Sequence, residues 1–217
     1  MTGPVANGAL TLHGYFRSSA SWRVRIALGL KGLAYEQRTY RLREDDHRSA
    51  EFLSINPQGL VPALEVGGMV LTQSLAICEY LDEAVPEPPL LPDGLVERAL
   101  VRAFAQVIAC DIHPVQNLKI LRRLSSLCVD DAAVQGWARD VIGDGLEVCL
   151  RLLPRERGRF CFGDSPTLAD ICLIPQMANA RRFGVEMIWP ALESIEQHCM
   201  ALPAFADAVP GQQPDCE

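Results

Sequence analysis

The segment from Ala84 to Gly94 constrains the fold most, because its residues, AVPEPPLLPDG, include four prolines. Proline lacks a backbone N–H and fixes φ, so this segment can neither continue a helix nor lie in the centre of a sheet. We therefore expect a linker between two domains, one at 8–86 and one at 95–215. The sequence patterns on its two sides differ in kind.

The first half alternates strand and helix patterns. Leu10-Thr11-Leu12 alternates as a strand does, and from Ser19 to Lys31 apolar side chains recur at helical steps until Gly32 closes the helix. A second strand is predicted at about 35–42, and a polar loop follows it.

A β-hairpin and a helix complete the first half. Two short apolar runs within 61–71 flank Gly67-Gly68, and glycine permits the positive φ that a tight turn needs. Thr72-Gln73-Ser74 offers capping groups for a helix at 75–81. The order β-α-β, loop, β-β-α is the thioredoxin topology.

Beyond the linker the pattern is helical. One long apolar face is formed by Val101, Phe104, Ile108, Ile112 and Val115. Residues 131–153 and 167–182 repeat this behaviour, and Thr167 to Asp170 fits a capping box with Asp in place of Glu. The predicted fold class is therefore α+β, a thioredoxin-like domain followed by an all-helical bundle.

Composition excludes several functional classes. No stretch approaches the roughly 18 apolar residues of a membrane span, and the first nine residues lack the features of a signal peptide. A net charge of -7 argues against binding to nucleic acid or an anionic membrane. The eight cysteines contain no C-x-x-C pair, so we expect reduced thiols in a cytoplasmic protein and no metal site.

Three serines, Ser18, Ser19 and Ser21, lie where the first strand runs into the first helix. Unpaired N–H groups and the dipole at a helix N-terminus stabilise an anion, and a thiolate is such an anion. The serines equally fit the ordinary role of capping the helix. From this segment alone both interpretations stand.

Two dipeptides strengthen the binding interpretation in combination with the serines. Val61-Pro62, directly before the hairpin, is where thioredoxin-like folds keep a cis proline, although most X–Pro bonds are trans. The residue before that proline can pair with an extended peptide ligand. Gln73-Ser74, at the next helix N-terminus, offers donors to a second anionic group or acts as an ordinary cap.

The segment Ser18–Leu28, SSASWRVRIAL, resembles the signature of the zeta-class glutathione transferases, and the similarity covers about residues 10–215. Further matching segments are Asn56-Pro57-Gln58, Val61-Pro62-Ala63-Leu64, 73–77 (QSLAI), 111–117 (DIHPVQN) and 163–170 (GDSPTLAD). The first motif is specific, whereas Val-Pro and Gln-Ser occur across the transferase superfamily. In the first motif, the isomerases of the zeta class usually have cysteine at the position where this chain has Ala20.

The resemblance implies a binding site for glutathione. Ser18 would donate to the glutathione sulfur and favour the thiolate, with Ser19 and Ser21 as close alternatives. The other residues implied to contact glutathione are Ala20 beside the sulfur, His47 at the glycyl carboxylate, Val61 and Pro62 at the cysteinyl backbone, Gln73 and Ser74 at the γ-glutamyl end, and Asn117.

The resemblance also implies anchors for a second substrate that is a diacid. They are Arg17, His113 and Arg182, and two guanidinium groups suit two carboxylates because each contact is bidentate and always charged. Asn117, four residues after His113, is expected on the same helical face. Without the resemblance, Arg182 fits a surface salt bridge and His113 a helix broken by Pro114.

The activity implied is a glutathione-dependent cis-trans isomerisation of a maleyl diketo acid in aromatic catabolism, by a homodimer. The sequence does not separate maleylacetoacetate from maleylpyruvate. One alternative is a conjugating or dehalogenating transferase acting on α-haloacids or other electrophiles, which would consume glutathione. Another is a noncatalytic transferase-like module, which would fail to bind it.

Overall fold

The computed structural model describes residues 9–216. Gly8, where the predicted first domain begins, and residues 1–7 of the segment inspected for a signal peptide lie outside that part. The described residues form two compact units, one comprising residues up to Leu90 together with those from Met200 onward, and the other Leu91–Cys199. The domain limits of 8–86 and 95–215 stay a prediction.

The first unit contains a four-stranded mixed sheet. Its strands are β1 (Thr11–Gly14), β2 (Glu36–Thr39), β3 (Ala63–Val66) and β4 (Met69–Thr72), in the order β2-β1-β3-β4. β1 runs parallel to β2 and antiparallel to β3, and β3 and β4 form the predicted hairpin. Gly67 and Gly68 have φ of 56° and 78°, as the tight turn requires.

Helices α1 (Ser19–Leu30) and α3 (Ser74–Ala84) pack against each other in this unit. Gly32, at φ 63°, follows α1 and ends it as the sequence predicts. The short helix α9 (Pro203–Ala206), near the end of the chain, lies so close to α1 that a Cβ at Gly29 would be 3.1 Å from the Cα of Ala204. Glycine at this position permits that approach.

The prediction of a polar loop after β2 is wrong in part. It contains a 3₁₀ turn (Asp46–Arg48) and helix α2 (Ala50–Ile55). Ser49 caps α2 by accepting a hydrogen bond from the Phe52 N–H at 3.2 Å. Phe52 is buried and packs against the ring of Tyr40, with centroids 4.5 Å apart. A helix of six residues is too short to show a periodic pattern in the sequence.

The proline-rich segment has no helix or strand from Val85 to Gly94, as predicted. Its beginning is anchored to the first unit by the buried Lys31, whose Nζ pairs with Asp82 at 2.7 Å and donates to the carbonyl of Pro88. The Asp82 carboxylate also accepts the Leu90 N–H at 2.7 Å. The irregular segment is therefore held by charge-assisted hydrogen bonds.

The second unit is helical, as predicted. Its helices are α4 (Leu95–Gln106), α5 (Leu118–Ser126), α6 (Asp131–Leu152), α7 (Leu168–Arg182) and α8 (Pro190–Met200). The predicted capping box at α7 is present, because the Thr167 side chain accepts from the Asp170 N–H and the Asp170 carboxylate accepts from the Thr167 N–H at 2.8 Å. The same carboxylate also accepts from the Cys161 N–H at 2.8 Å.

A π-helical segment, Val107–Ile112, continues α4 and is not predicted by the sequence pattern. The residues of the predicted apolar face up to Ile112 are nevertheless buried. Over the described residues 9–216, no helix has the length and apolar character needed to cross a membrane.

Five cysteines are buried, namely Cys78, Cys149, Cys161, Cys172 and Cys199. Burial raises the pKa of Cys149 to about 12 and also raises the pKa of Cys161 and of Cys199. These three thiols are therefore protonated at neutral pH. Buried cysteines of this kind pack as small apolar side chains.

Candidate active site

Three groups of predicted site residues in the first unit lie at the same end of the sheet. β1 ends at Gly14 and leads through a turn to Ser18. Ala63, the first residue of β3, pairs with His13 of β1 on one side and with Thr72, the last residue of β4, on the other. The serine turn, the residues before β3 and the residues after β4 therefore converge.

Ser18 is the N-cap of α1. Its Oγ accepts a hydrogen bond from the Ser21 N–H at 3.2 Å, and its own N–H donates to the Tyr15 carbonyl at 3.0 Å. Accepting one bond leaves the hydroxyl proton able to donate to a ligand. Both interpretations of the serines are therefore compatible at Ser18, since the oxygen caps the helix and the proton remains available to a ligand.

The neighbouring serines are less accessible than Ser18. Ser18 is half-buried, whereas Ser19 and Ser21 are buried and Ala20 lies at the buried limit. Ser21 is fully enclosed, and its Oγ has no hydrogen-bond partner within residues 9–216. Of the three hydroxyls, that of Ser18 is the most exposed to a ligand.

The Val61–Pro62 peptide bond is cis, as predicted. Pro62 is buried and Val61 is half-buried. Among residues 9–216, neither the N–H nor the carbonyl of Val61 forms a hydrogen bond. Val61 therefore offers a backbone donor and acceptor to an extended peptide.

The capping predicted for α3 is wrong. Gln73 precedes the helix with φ 69° and ψ 115° and makes no side-chain cap. Its Nε2 instead donates to Oε1 of Gln58 at 3.0 Å. The first N–H groups of α3 are consequently left without the side-chain acceptor that Ser18 supplies to α1.

A buried arginine that the sequence analysis did not single out lies beside Ser74. Arg23 of α1 donates from Nη1 to the Ser74 Oγ at 3.2 Å. Both side chains are buried. The sequence signal for Arg23 is its place in the segment Ser18–Leu28, and that segment does not reveal that its partner is Ser74.

The turn that contains Arg17 is held by distant residues. The Phe16 N–H donates to the Asp215 carboxylate at 2.9 Å, and the Phe16 carbonyl accepts from Arg25 Nη2 at 2.9 Å. Burial lowers the pKa of Arg25 to about 10, so it remains charged at neutral pH. Arg17 itself is half-buried, donates to the Tyr15 hydroxyl at 3.4 Å and stacks over the Phe16 ring.

His47 is buried within the 3₁₀ turn, although it was expected in a loop. Its carbonyl oxygen faces Gly59, where an added Cβ would lie 3.1 Å away, and Gly59 has φ 60°. The backbone of His47 is thereby close to the segment that leads to Val61.

The remaining predicted residues belong to the second unit. His113 follows the π-helical segment, and its N–H bonds the Ile108 carbonyl at 2.9 Å in the same i to i−5 pattern. Asn117 does not share a helical face with His113, because residues 113–116 form turns and Asn117 begins α5 as its N-cap. That part of the prediction is wrong.

Arg182 is exposed in the last turn of α7 and stacks on the ring of Phe183, with 4.7 Å from its Cζ to the ring centroid. The neighbouring Arg181 forms a bidentate ion pair with Glu196. The last turn of α7 thus carries one arginine in a surface ion pair, Arg181, and one stacked on an aromatic ring, Arg182.

The first unit fits a small acidic peptide that carries a thiol. It provides a hydroxyl at the N-terminus of α1, the backbone of Val61, and the N-terminus of α3 with the Arg23 cation behind Ser74. The first group favours a thiolate, the second an extended backbone, and the third a carboxylate. Glutathione combines these three features.

Comparison with known proteins agrees with this chemistry. The family model described as the glutathione S-transferase N-terminal domain matches residues 8–83. A maleylacetoacetate isomerase from Dictyostelium discoideum is 44% identical over 209 residues, covering 95% of each chain.

Two solved structures are similar over nearly the whole chain. One is a maleyl pyruvate isomerase described as a bacterial glutathione S-transferase in zeta class, with a TM-score of 0.93 and 43% identity over 95% of this chain and 100% of the other. The second is a maleylacetoacetate isomerase from Anaeromyxobacter dehalogenans 2CP-1 with bound dicarboxyethyl glutathione and citrate. It has a TM-score of 0.88 and 41% identity over 97% of this chain and 95% of the other. The chain belongs to the zeta class of the glutathione transferase family.

Proposed function

We propose that this protein is a glutathione-dependent cis-trans isomerase that converts maleylacetoacetate to fumarylacetoacetate, or maleylpyruvate to fumarylpyruvate. The observation that carries the proposal is the convergence of the Ser18 hydroxyl, the Val61 backbone and the N-terminus of α3 at one end of the sheet. Relatives named for these two isomerisations, similar over nearly their full lengths, support it.

Bound glutathione supplies a thiolate that adds reversibly to the cis double bond conjugated with a carbonyl, so that the bond can rotate before the thiolate is expelled. In our proposal Ser18 donates its hydroxyl proton to that sulfur and lowers the thiol pKa. Val61 pairs with the cysteinyl backbone beside Pro62, while Gln73 and Ser74 hold the γ-glutamyl end. His47 meets the glycyl carboxylate and Ala20 lies beside the sulfur, while Asn117 is a further candidate contact of glutathione.

The substrate in this proposal is a diacid, and Arg17, His113 and Arg182 are the candidate residues for its carboxylates. Guanidinium groups match carboxylates in charge and geometry, and fixing the substrate aligns its double bond with the sulfur. A relative with bound dicarboxyethyl glutathione supports a diacid partner for the glutathione sulfur. Glutathione is regenerated in each turnover, which distinguishes this activity from conjugation.

We further propose a cytoplasmic homodimer that acts in aromatic catabolism. Large apolar side chains are exposed on both units, with Met69 of β4 56% exposed and Leu95 and Val96 of α4 86% and 67% exposed. Such side chains favour burial against a second copy of the chain. Sedimentation at micromolar concentration tests this, and a monomer would contradict it.

The function is tested by incubating purified protein with each maleyl diketo acid, with and without glutathione. We expect many turnovers to the fumaryl isomer of at least one acid, only when glutathione is present, with the glutathione recovered at the end. Consumption of glutathione in step with substrate would instead identify a conjugating or dehalogenating transferase. Failure to bind glutathione would identify a noncatalytic module.

A further inference from the structure

Arg23 carries a buried charge that the fold does not fully satisfy. The residue is 1% exposed, and Nη1 donates to Ser74 at 3.2 Å. Within residues 9–216, its Nε and Nη2 atoms have no hydrogen-bond partner. A guanidinium has five N–H donors, so most of the donor capacity of Arg23 is unused.

This arrangement lowers the stability of the fold, which suggests that Arg23 has a functional role. A buried cation without a carboxylate partner costs free energy. The cost is increased here because Ser74 opens α3, an eleven-residue helix whose N-terminus carries the positive end of its dipole. Two positive features face one another across Ser74, and an anion bound there would offset both.

The contact also fixes what the Ser74 hydroxyl can do. A hydroxyl has one donor and two acceptor positions, and the Arg23 N–H occupies an acceptor position. The Ser74 proton consequently points away from the guanidinium. In addition, the Gln73 side chain bonds Gln58 and leaves the first N–H groups of α3 without a side-chain cap.

We propose that Arg23 is a positioning residue that acts through Ser74 and makes the N-terminus of α3 selective for the α-carboxylate of the γ-glutamyl group. Arg23 orients the hydroxyl as a donor and adds its positive potential, while Ser74 makes the contact. The proposal rests on the proposed function, because it takes glutathione to be the ligand.

The test compares three ligands by calorimetric titration. They are glutathione, glutaryl-cysteinyl-glycine, which lacks only the α-amino group, and γ-aminobutyryl-cysteinyl-glycine, which lacks only the α-carboxylate. In Arg23→Met we expect Kd for the first two to rise about tenfold or more, as for a lost charge-assisted contact. Kd for the third should change less than about threefold, since it has no carboxylate for Ser74 to bind.

A double-mutant cycle and a matched control separate this role from a structural one. In a Ser74→Ala background, Arg23→Met should raise Kd for glutathione by less than about a further threefold, because Arg23 acts only through the Ser74 hydroxyl. Arg25→Met is the control, since Arg25 lies on the same helix, is 2% exposed and bonds backbone carbonyls. It should change all three Kd values by a similar factor.

Several results would overturn the proposal. One is an equal rise in Kd for all three peptides in Arg23→Met. Another is a double variant in which the effects of Arg23→Met and Ser74→Ala on Kd for glutathione are fully additive. If Arg23→Met does not fold, Arg23→Lys and Arg23→Gln replace it: Lys should retain selectivity for the α-carboxylate and Gln should lose it, and equal behaviour contradicts the role. Native protein that binds no glutathione refutes the proposed function itself, whereas binding with unchanged selectivity refutes only the role of Arg23.

Discussion

Replacing Ser18 with alanine removes two interactions made by one hydroxyl. The Ser18 Oγ accepts the Ser21 N–H at 3.2 Å and so caps α1, and in the proposed function its proton is donated to the glutathione sulfur. Loss of an N-cap costs about 1 kcal/mol of the free energy of unfolding. For a chain of this size that lowers the Tm by about 2–4 °C.

The second loss acts on the thiol. A hydrogen bond to a charged group contributes about 1.5–3 kcal/mol, which is roughly a ten- to hundredfold change in an equilibrium constant. We therefore expect the pKa of the bound thiol to rise in Ser18→Ala. Turnover at neutral pH should fall by up to the same factor and recover as the pH is raised, while Kd for glutathione changes little because the ends of the tripeptide keep their contacts.

Ser49→Ala provides a matched control for the capping loss. Ser49 is exposed and caps α2 by accepting the Phe52 N–H at 3.2 Å, the same distance as in the Ser18 cap. The thiol pKa is read from the ultraviolet absorbance of the thiolate in the binary complex, and Tm from thermal unfolding. Ser49→Ala should lower Tm by a similar amount and leave the thiol pKa unchanged.

The proposed contact between Ser18 and the sulfur is contradicted if Ser18→Ala lowers Tm as Ser49→Ala does and leaves the thiol pKa where it was. The hydroxyl of Ser18 would then be a cap and nothing more. If Ser19→Ala moved the thiol pKa instead, the assignment would be displaced by one residue.

Three further predictions concern other sites. Arg182→Met should raise KM for the diacid about tenfold and leave KM for glutathione unchanged, because it removes a carboxylate contact. Arg181→Met, which breaks the ion pair with Glu196, should alter neither KM. Ala20→Cys should change kcat less than about tenfold, since the attacking sulfur belongs to glutathione, and an inactive native enzyme rescued by the cysteine would contradict this. Asp170→Asn should lower the free energy of unfolding by about 2–4 kcal/mol in urea titrations, because two buried N–H groups donate to its carboxylate; a loss below about 1 kcal/mol would count against it.

Elements with a local signal were predictable from the sequence. The Gly67-Gly68 turn depends on backbone freedom that glycine alone supplies readily, and it lies where the hairpin pattern places it. The α7 capping box likewise depends on residues three apart. The cis peptide before Pro62 was expected from topology, since the local preference of an X–Pro bond is trans.

Contacts between distant residues were not predictable in the same way. The Phe16–Asp215 bond joins residues 199 apart, and the Arg23–Ser74 bond joins residues 51 apart. Which side chains meet depends on the packing of whole elements, and a sequence pattern gives no register for that packing. The loss of the common face of His113 and Asn117 has a related cause, because the chain turns at residues 113–116 and a new helix begins after Asn117.

The two arginines of Trp22-Arg23-Val24-Arg25 show where sequence reasoning ends at this site. Both are buried on α1 and separated by one residue, so pattern and composition treat them alike. Arg25 donates to backbone carbonyls at Phe16 and Ala208, which ties the serine turn to the end of the chain. Arg23 donates to a side-chain hydroxyl at a helix N-terminus and keeps unused donors. Satisfied donors to carbonyls stabilise a fold, whereas an unsatisfied cation beside a helix N-terminus favours an anionic ligand, so the difference between the two lies in their partners.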